Sequence, residues 1–396
     1  MTGKYDDIVF VSAVRSPMGK FGGTLKDMPV YELGGYVIKE VVKRAGIAPE
    51  EINEAIIGNC RQAGNGPNPA RTAVLNGGLP KDLPVVTVNM ACPAGLISII
   101  YAMRAIKDGS NTVLCGGMES MSTIPYLLKG VRWEGFRMGD KVLMDGWSDS
   151  IDPIINMGMG QTAENLVEKY GITREEMDKF AAESHNKALL AKNNGWFKNE
   201  ITPIPVKDKK GNEILFEEDE SIREDATLEK MAKIPPAFKK GGSVTAGNSC
   251  GLTDGAAMLI AMRRDKALAL GLKPLFSIVD YAQLAVENAY MGDGPGYSIP
   301  AVLKKANMTL SDIDLIEVNE AFAAQVLANE RVLNWDRSKV NVNGGAIALG
   351  HPTGCSGARI VVTLYNALKR LNKELGVAAI CGAGGVTVAA IIKREN

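Results

Sequence analysis

Hydrophobic and polar positions along this chain follow two rhythms. Short apolar runs bounded by turn residues read as strands covered on both faces, and stretches with apolar residues every three or four positions read as helices. "DDIVFVSAV" predicts a first strand and "MPVYELGGYVIKEVVKRAG" a helix stopped by Gly46. Further along, "EAIIGN" reads as a strand, "NPARTAVLNGG" as a helix and "VVTVNM" as a buried strand. "PAGLISIIYAMRAIKDG" then reads as a helix and "TVLCGGMES" as a strand. Such alternation predicts an α/β protein with a layered sheet.

The second half repeats this order. "SDIDLIEVNEAF" matches "PEEINEAIIGNC" with Ile313 answering Ile52, and "KVNVNGG", "HPTGCSGARIVVTLYNALKRL" and "VAAICGAGG" read as strand, helix and Gly-rich strand end. Cys381 then falls where Cys115 falls, which implies a duplicated unit. Residues 1–120, completed by about 247–272, form the first copy, and 273–396 the second. Residues 121–246 look different: they carry the polar hairpin-like stretch "VKDKKGNEILFEEDESIRED", read as a solvated surface loop, and a helix opened by a capping box from Thr173 to Glu176. A long insertion of this kind can form one wall of a ligand cleft.

Charge narrows the partners. Lys plus Arg equals Asp plus Glu at 45 each in 396 residues, so no general attraction to nucleic acid or anionic membrane is expected. No apolar run is long enough to span a bilayer, and the start lacks the features of a leader, so a cytoplasmic location is expected. The six cysteines, Cys60, Cys92, Cys115, Cys250, Cys355 and Cys381, include no C-x-x-C pair, which argues against a zinc site or a disulfide framework.

Three residues stand out chemically. In "VNMACPAGL", Pro93 suits the first helical position and leaves Cys92 at a helix mouth, where unpaired N–H groups favour thiolate. A buried packing thiol is the alternative. His351 lies in a Gly-rich turn between strand and helix, the kind of place where α/β sheets build sites, with a structural loop histidine as the alternative. His185 reads as a half-exposed packing residue. If a pseudo-twofold relates the halves, Cys92, His351 and Cys381 can meet near its axis. Two thiols and an imidazole suit carbon–carbon chemistry at a thioester, one group carrying the acyl unit and another moving an α-proton.

Over essentially its whole length the sequence resembles a thiolase. The resemblance rests on "VRSPMGKFGG", "NPAR" (Asn68 to Arg71), "VNMACPAGL", "CGGMESMS", "GQTAENL", "VTAGNSCGLTDGAA", "VNEAF", "GGAIALGHPTGCSGAR" and "CGAGG". It implies two βαβαβαβαββ halves packed as an αβαβα core with an inserted loop domain, usually assembled as dimers or dimers of dimers. It implies that Cys92 is acylated, that His351 activates it, and that Cys381 moves the α-proton. Asn319 would hold a water that joins His351 in an oxyanion hole, and the N–H groups of Cys92 and Ala383 would form a second. Coenzyme A would be a co-substrate, with no permanently bound cofactor and no metal. By motif position, Arg223 and Lys230 would approach its nucleotide end, and Met159, Cys250, Ala321 and Phe322 its pantetheine and acyl end.

Short-chain acetoacetyl-CoA relatives commonly carry a histidine where Gly158 stands, which implies more room beside the acyl group and a bulky, branched or aromatic substrate. Tyr290 and Tyr297 near a family substrate loop could serve this or simply pack. A short-chain acetoacetyl-CoA thiolase and a noncatalytic acyl-CoA-binding scaffold are the alternatives. Condensing enzymes acting on carrier proteins and hydroxymethylglutaryl-CoA synthase lack a counterpart of Cys381. Some thiolase relatives work with a small zinc-ribbon and OB-fold partner subunit.

Overall fold

The computed structural model describes residues 5–208 and 210–395. Nine strands make the central sheet: β1 (Ile8–Arg15), β2 (Glu54–Gly58), β3 (Val85–Val88), β4 (Thr112–Ser120), β5 (Thr253–Arg263), β6 (Phe276–Ala285), β7 (Leu315–Val318), β8 (Leu375–Gly382) and β9 (Val386–Arg394). Their spatial order is β7-β8-β9-β6-β1-β5-β4-β2-β3, with the two-residue strand Gly19–Lys20 added on β5. Read outward from the middle, β1-β5-β4-β2 and β6-β9-β8-β7 are two copies of one arrangement, each with a parallel pair among antiparallel neighbours. The copies join where Phe10 pairs with Phe276, their rings stacked at 4.6 Å.

Both faces of each half-sheet are covered, which is why β1 is buried throughout and mostly apolar. One apolar cluster lies between the half-sheets, around the helices Ala94–Lys107 and Thr353–Arg370, and two others fill the outer faces. The layers are therefore helix, sheet, helix, sheet, helix. The two central helices touch backbone to backbone. A Cβ on Gly357 would lie 2.3 Å from the Leu96 nitrogen, and one on Gly95 would lie 2.7 Å from the Ala358 nitrogen. Only glycine permits this approach, and it sets the first turns of both helices side by side.

Register corrects the repeat. Ile56 pairs with Cys115 in one copy, whereas Glu317, which answers Ile56, pairs with Ala378 in the other. Cys115 therefore corresponds to Ala378, and Cys381 sits three residues further along, at the strand end. The glycines after each cysteine, rather than strand pairing, suggested the wrong match. Two strand expectations also change. "VVTVNM" is not buried: β3 lies at the sheet edge with Val86 44% exposed. "KVNVNGG" forms no strand but a single bridge from Val340 to Ile316, because Asn341 turns to φ 45° and its side-chain amide bonds both the N–H and the carbonyl of Val318.

Residues 121–246 contain the hairpin Ile204–Lys207 with Glu213–Phe216 and the helix Arg174–Asn193, opened by the Thr173–Glu176 capping box. Lys209 of the hairpin stretch lies outside the described residues. The charge run is not wholly solvated. Asp219 is buried and takes both terminal nitrogens of the fully buried Arg15 at 2.7 and 2.9 Å, while Glu200 takes its Nε at 2.7 Å. Burying charges is costly unless they are paired in this way, so the cluster fixes the insertion against β1. No helix among the described residues is long and apolar enough to cross a membrane.

Candidate active site

Pro93 already has helical dihedrals, φ −68° and ψ −5°, and its carbonyl accepts the Ile97 N–H at 2.9 Å. Cys92 is thereby left at the mouth of the Ala94–Lys107 helix. Just before it, Ala91 adopts φ 52°, a strained choice for a residue with a Cβ. It is held there by Asn89, whose Oδ1 accepts the Ala91 N–H at 2.9 Å, and by Cys60, whose thiol meets the Ala91 carbonyl at 2.9 Å. The N–H groups of Cys92 and Ala383 both lie near enough to the Cys92 sulfur to favour negative charge on it. Ala383 is not among the residues with positive φ, so alanine costs nothing there.

The expectation of a resting thiolate is overturned. Burial pushes the Cys92 thiol up to about 11, outweighing the two N–H groups that pull it down. Burial also raises Cys381 and Cys250, and both lie close enough to Cys92 that charge on its sulfur raises them further. Cys381 ends β8, fully within the protein, and Gly382 next to it packs against the Pro93 ring, where an added Cβ would come within 2.5 Å of Pro93 Cδ.

His351 approaches from the other half, two residues ahead of the Thr353–Arg370 helix. Its N–H reaches Thr253 Oγ1 at 3.0 Å, and its Nδ1 lies 2.6 Å from Ser356 Oγ. The Ser356 hydroxyl donates to the Pro352 carbonyl at 3.0 Å, so it accepts from Nδ1–H. This selects the tautomer with a free lone pair on Nε2. That nitrogen faces the Asn319 amide nitrogen at 3.5 Å. Asn319 Oδ1 is buried with no hydrogen-bonding partner among the described residues, an acceptor that a water or substrate group can satisfy. Burial and the nearby Arg359 push His351 down to about 3, so at neutral pH it is an uncharged base.

The remaining expected residues divide. The Cys250 N–H donates to the Ala321 carbonyl at 3.0 Å, Ser249 bridges to Phe322, and Met159 packs on the cluster that holds Ala321, Phe322 and Cys381. Arg223 and Lys230 are exposed on the insertion, Lys230 paired with Asp225. His185 is not half-exposed: it is 2% exposed, its Nδ1 accepts the Arg223 N–H at 3.1 Å, and burial pushes it down to about 4. Tyr290 and Tyr297 line a groove of about 480 Å³, with Lys169 4.4 Å from the Tyr290 ring. Among the described residues no group of three or more His, Cys, Asp or Glu side chains could hold a metal ion.

Sequence reasoning missed Ser356, Thr253, Cys60 and Glu119. Ser356 carried the clearest signal, since it lies in the first helical turn after His351. Glu119 lies in "CGGMESMS", but as a lone carboxylate in a mostly apolar strand it showed no partner from the sequence.

Thiols at the end of one strand and the mouth of one helix, and an imidazole ahead of the matching helix of a duplicated α/β fold, are groups suited to acyl transfer. Comparison with known proteins agrees. The thiolase N-terminal domain matches residues 8–265 and the thiolase C-terminal domain residues 272–394. A probable acetyl-CoA acyltransferase of Staphylococcus aureus is 47% identical over 98% of this chain and 99% of its own. An acetyl-CoA acetyltransferase of Cupriavidus necator is also 47% identical, over 98% and 100%. Among solved structures, the Bacillus anthracis acetyl-CoA acetyltransferase superposes with a TM-score of 0.95 at 46% identity, covering 98% and 99% of the two chains. Human mitochondrial 3-ketoacyl-CoA thiolase in complex with CoA gives 0.94 at 40%, covering 98% of each. The chain belongs to the thiolase family. It is an acyltransferase, with coenzyme A as co-substrate.

Proposed function

We propose that Cys92 carries the acyl group during CoA-dependent cleavage of a 3-oxoacyl-CoA, or during the reverse condensation. The Cys92 sulfur attacks the 3-keto carbon as its proton passes to His351 Nε2. The nearness of the Cys92 and Ala383 N–H groups to the sulfur carries this reading, because those donors can hold the oxyanion of the tetrahedral adduct. The C2–C3 bond then breaks, and the departing acetyl-CoA enolate takes the Cys381 proton. His351 and an Asn319-bound water stabilise that enolate oxygen. A second CoA thiol returns a proton to Cys381 and takes the acyl group from Cys92, whose departing thiolate recovers its proton from His351. A neutral thiol beside a neutral imidazole favours proton transfer concerted with attack over a standing ion pair.

Met159, Cys250, Ala321 and Phe322 are read as the pantetheine and acyl wall, and Arg223 and Lys230 as the nucleotide end. The same reading keeps the division into 1–120 with 247–272, 121–246 and 273–396. The acyl pocket is read as enlarged. A Cβ on Gly158 would meet only Gln161 Oε1, at 4.0 Å, and Gly158 has φ −76°, so the space beside it is open and a side chain there is unstrained. A panel of acetoacetyl-, longer linear and aromatic 3-oxoacyl-CoAs tests this. The wild type is expected to favour the larger substrates and Gly158→His to shift preference towards acetoacetyl-CoA. A wild-type preference for acetoacetyl-CoA rejects the enlarged pocket and favours the short-chain alternative.

A cytoplasmic homodimer or tetramer completes the proposal. It is supported by Trp133, Phe136, Met138 and Val142, each at least 74% exposed in one segment. Light scattering of the isolated chain is expected to give a multiple of its mass. A monomer that turns over only with a small zinc-ribbon subunit is the contrary result.

A further inference from the structure

We propose that Glu119 is a positioning residue for acyl transfer, its one carboxylate holding the Cys92 loop of the first half in register with the His351 loop of the second. The proposal rests on the roles of Cys92 and His351 given above. Glu119 is wholly buried near the end of β4. Its Oε1 accepts from Asn59 Nδ2 at 2.7 Å and from the Arg61 N–H at 3.1 Å. Its Oε2 accepts from the Cys60 N–H at 3.1 Å, Thr353 Oγ1 at 2.8 Å and the Gly354 N–H at 2.9 Å. Three of these five donors are backbone N–H groups, which can only donate, so the cradle suits a group that only accepts.

The donors belong to the two different halves. Asn59, Cys60 and Arg61 follow β2, and Cys60 passes the restraint on. Its thiol meets the carbonyl of strained Ala91, and its own carbonyl accepts from Asn89 Nδ2 at 3.1 Å. The segment Asn89–Ala91 leads directly into Cys92. On the other side, Thr353 and Gly354 open the helix that follows His351. A carboxylate that merely capped this helix would need no donors from residues 59–61. Glu119 hydrogen-bonds to none of Cys92, His351, Asn319 and Ser356; its charge lies near enough to push the Cys92 thiol up, but its hydrogen bonds reach the site only through the two loops.

The test compares Glu119→Gln, Thr353→Val and Thr353→Ser in the full-length enzyme, measuring kcat, KM for CoA, Tm and the rate of Cys92 alkylation by iodoacetamide. A glutamine turns two N–H bonds towards groups that themselves donate. A displacement of about 1 Å costs on the order of 100-fold, so kcat and alkylation are expected to fall about that much in Glu119→Gln and about 10-fold in Thr353→Val. KM for CoA should stay within about twofold, because the groups read as CoA contacts lie elsewhere. Thr353→Ser, which keeps the hydroxyl, should restore both rates. Unchanged kcat and alkylation well below Tm, with only Tm lowered, overturn the proposal. If Glu119→Gln does not fold, the Thr353 pair decides. Turnover that survives Cys92→Ser would instead refute the underlying reading of the site.

Discussion

The two halves of the molecule place a helix mouth beside a strand end and equip it differently. In the first half the mouth holds Cys92, and the strand end, β4, holds Glu119 with its five donors. In the second half the mouth holds His351 with Ser356 on its Nδ1, and β8 ends in Cys381 and Gly382. By strand register Glu119 corresponds to Gly382 and Met118 to Cys381. The two copies thus offer equivalent positions, one holding the proposed restraint Glu119 and the other Cys381, the thiol proposed to move the α-proton. A single site needing two thiols and a base can be assembled from two copies of one fold in this way.

Removing the divergent thiol gives the largest expected effect that still leaves the first half working. Cys381→Ala should still be acylated by a saturated acyl-CoA, since that exchange moves no α-proton. Its turnover should fall by roughly 10²- to 10⁴-fold, the usual worth of a positioned acid or base. Isotope exchange of the acetyl-CoA methyl protons with solvent measures the missing step, and exchange at the wild-type rate would show that β8 is not so equipped. Ser356→Ala should have an intermediate effect. Freed from its partner, the His351 ring can turn, and kcat/KM is expected to drop about 10- to 100-fold with little change in CoA binding. An unaltered kcat/KM would mean that Ser356 does not select the tautomer.

The smallest effect concerns His185, which belongs to neither mouth. Its pKa is pushed down to about 4 by burial, against an ordinary 6.5, so the unfolded chain takes up this proton first. The stability it contributes is present above 6.5 and lost as pH falls towards 4. His185→Asn can still accept the Arg223 N–H without titrating. Urea unfolding should show the variant losing less stability than the wild type between pH 7 and pH 4, by up to about 3 kcal/mol. Parallel pH profiles would indicate that the buried imidazole is not held neutral.

Most of the layered fold was legible from periodicity, because strands covered on both faces must be apolar and helices must show a stripe. The failures came where side chains replace backbone pairing, or where an apolar strand lies at an edge. Asn341 imitates a strand partner for Val318, and Val86 is a sheet-edge apolar residue that nothing in its own segment distinguishes from a buried one. At the site, Cys92, His351 and Cys381 stood out as candidates because histidines are scarce and these residues lie in Gly- or Pro-marked segments. Their protonation could not be read in this way, since it depends on desolvation by neighbours distant in the chain. The helix mouth alone argued for thiolate at Cys92, whereas burial drives it up to about 11. Glu119 was invisible for a related reason: its five donors come from residues 59–61 and 353–354.

The most direct measurement is the mass of the enzyme and its peptides after brief exposure to an acyl-CoA donor. The account predicts one acyl group on the Cys92 peptide in the wild type and in Cys381→Ala, and none in Cys92→Ser. Acylation of Cys381 or Cys250 in place of Cys92, or equal labelling of Cys92→Ser, would contradict it.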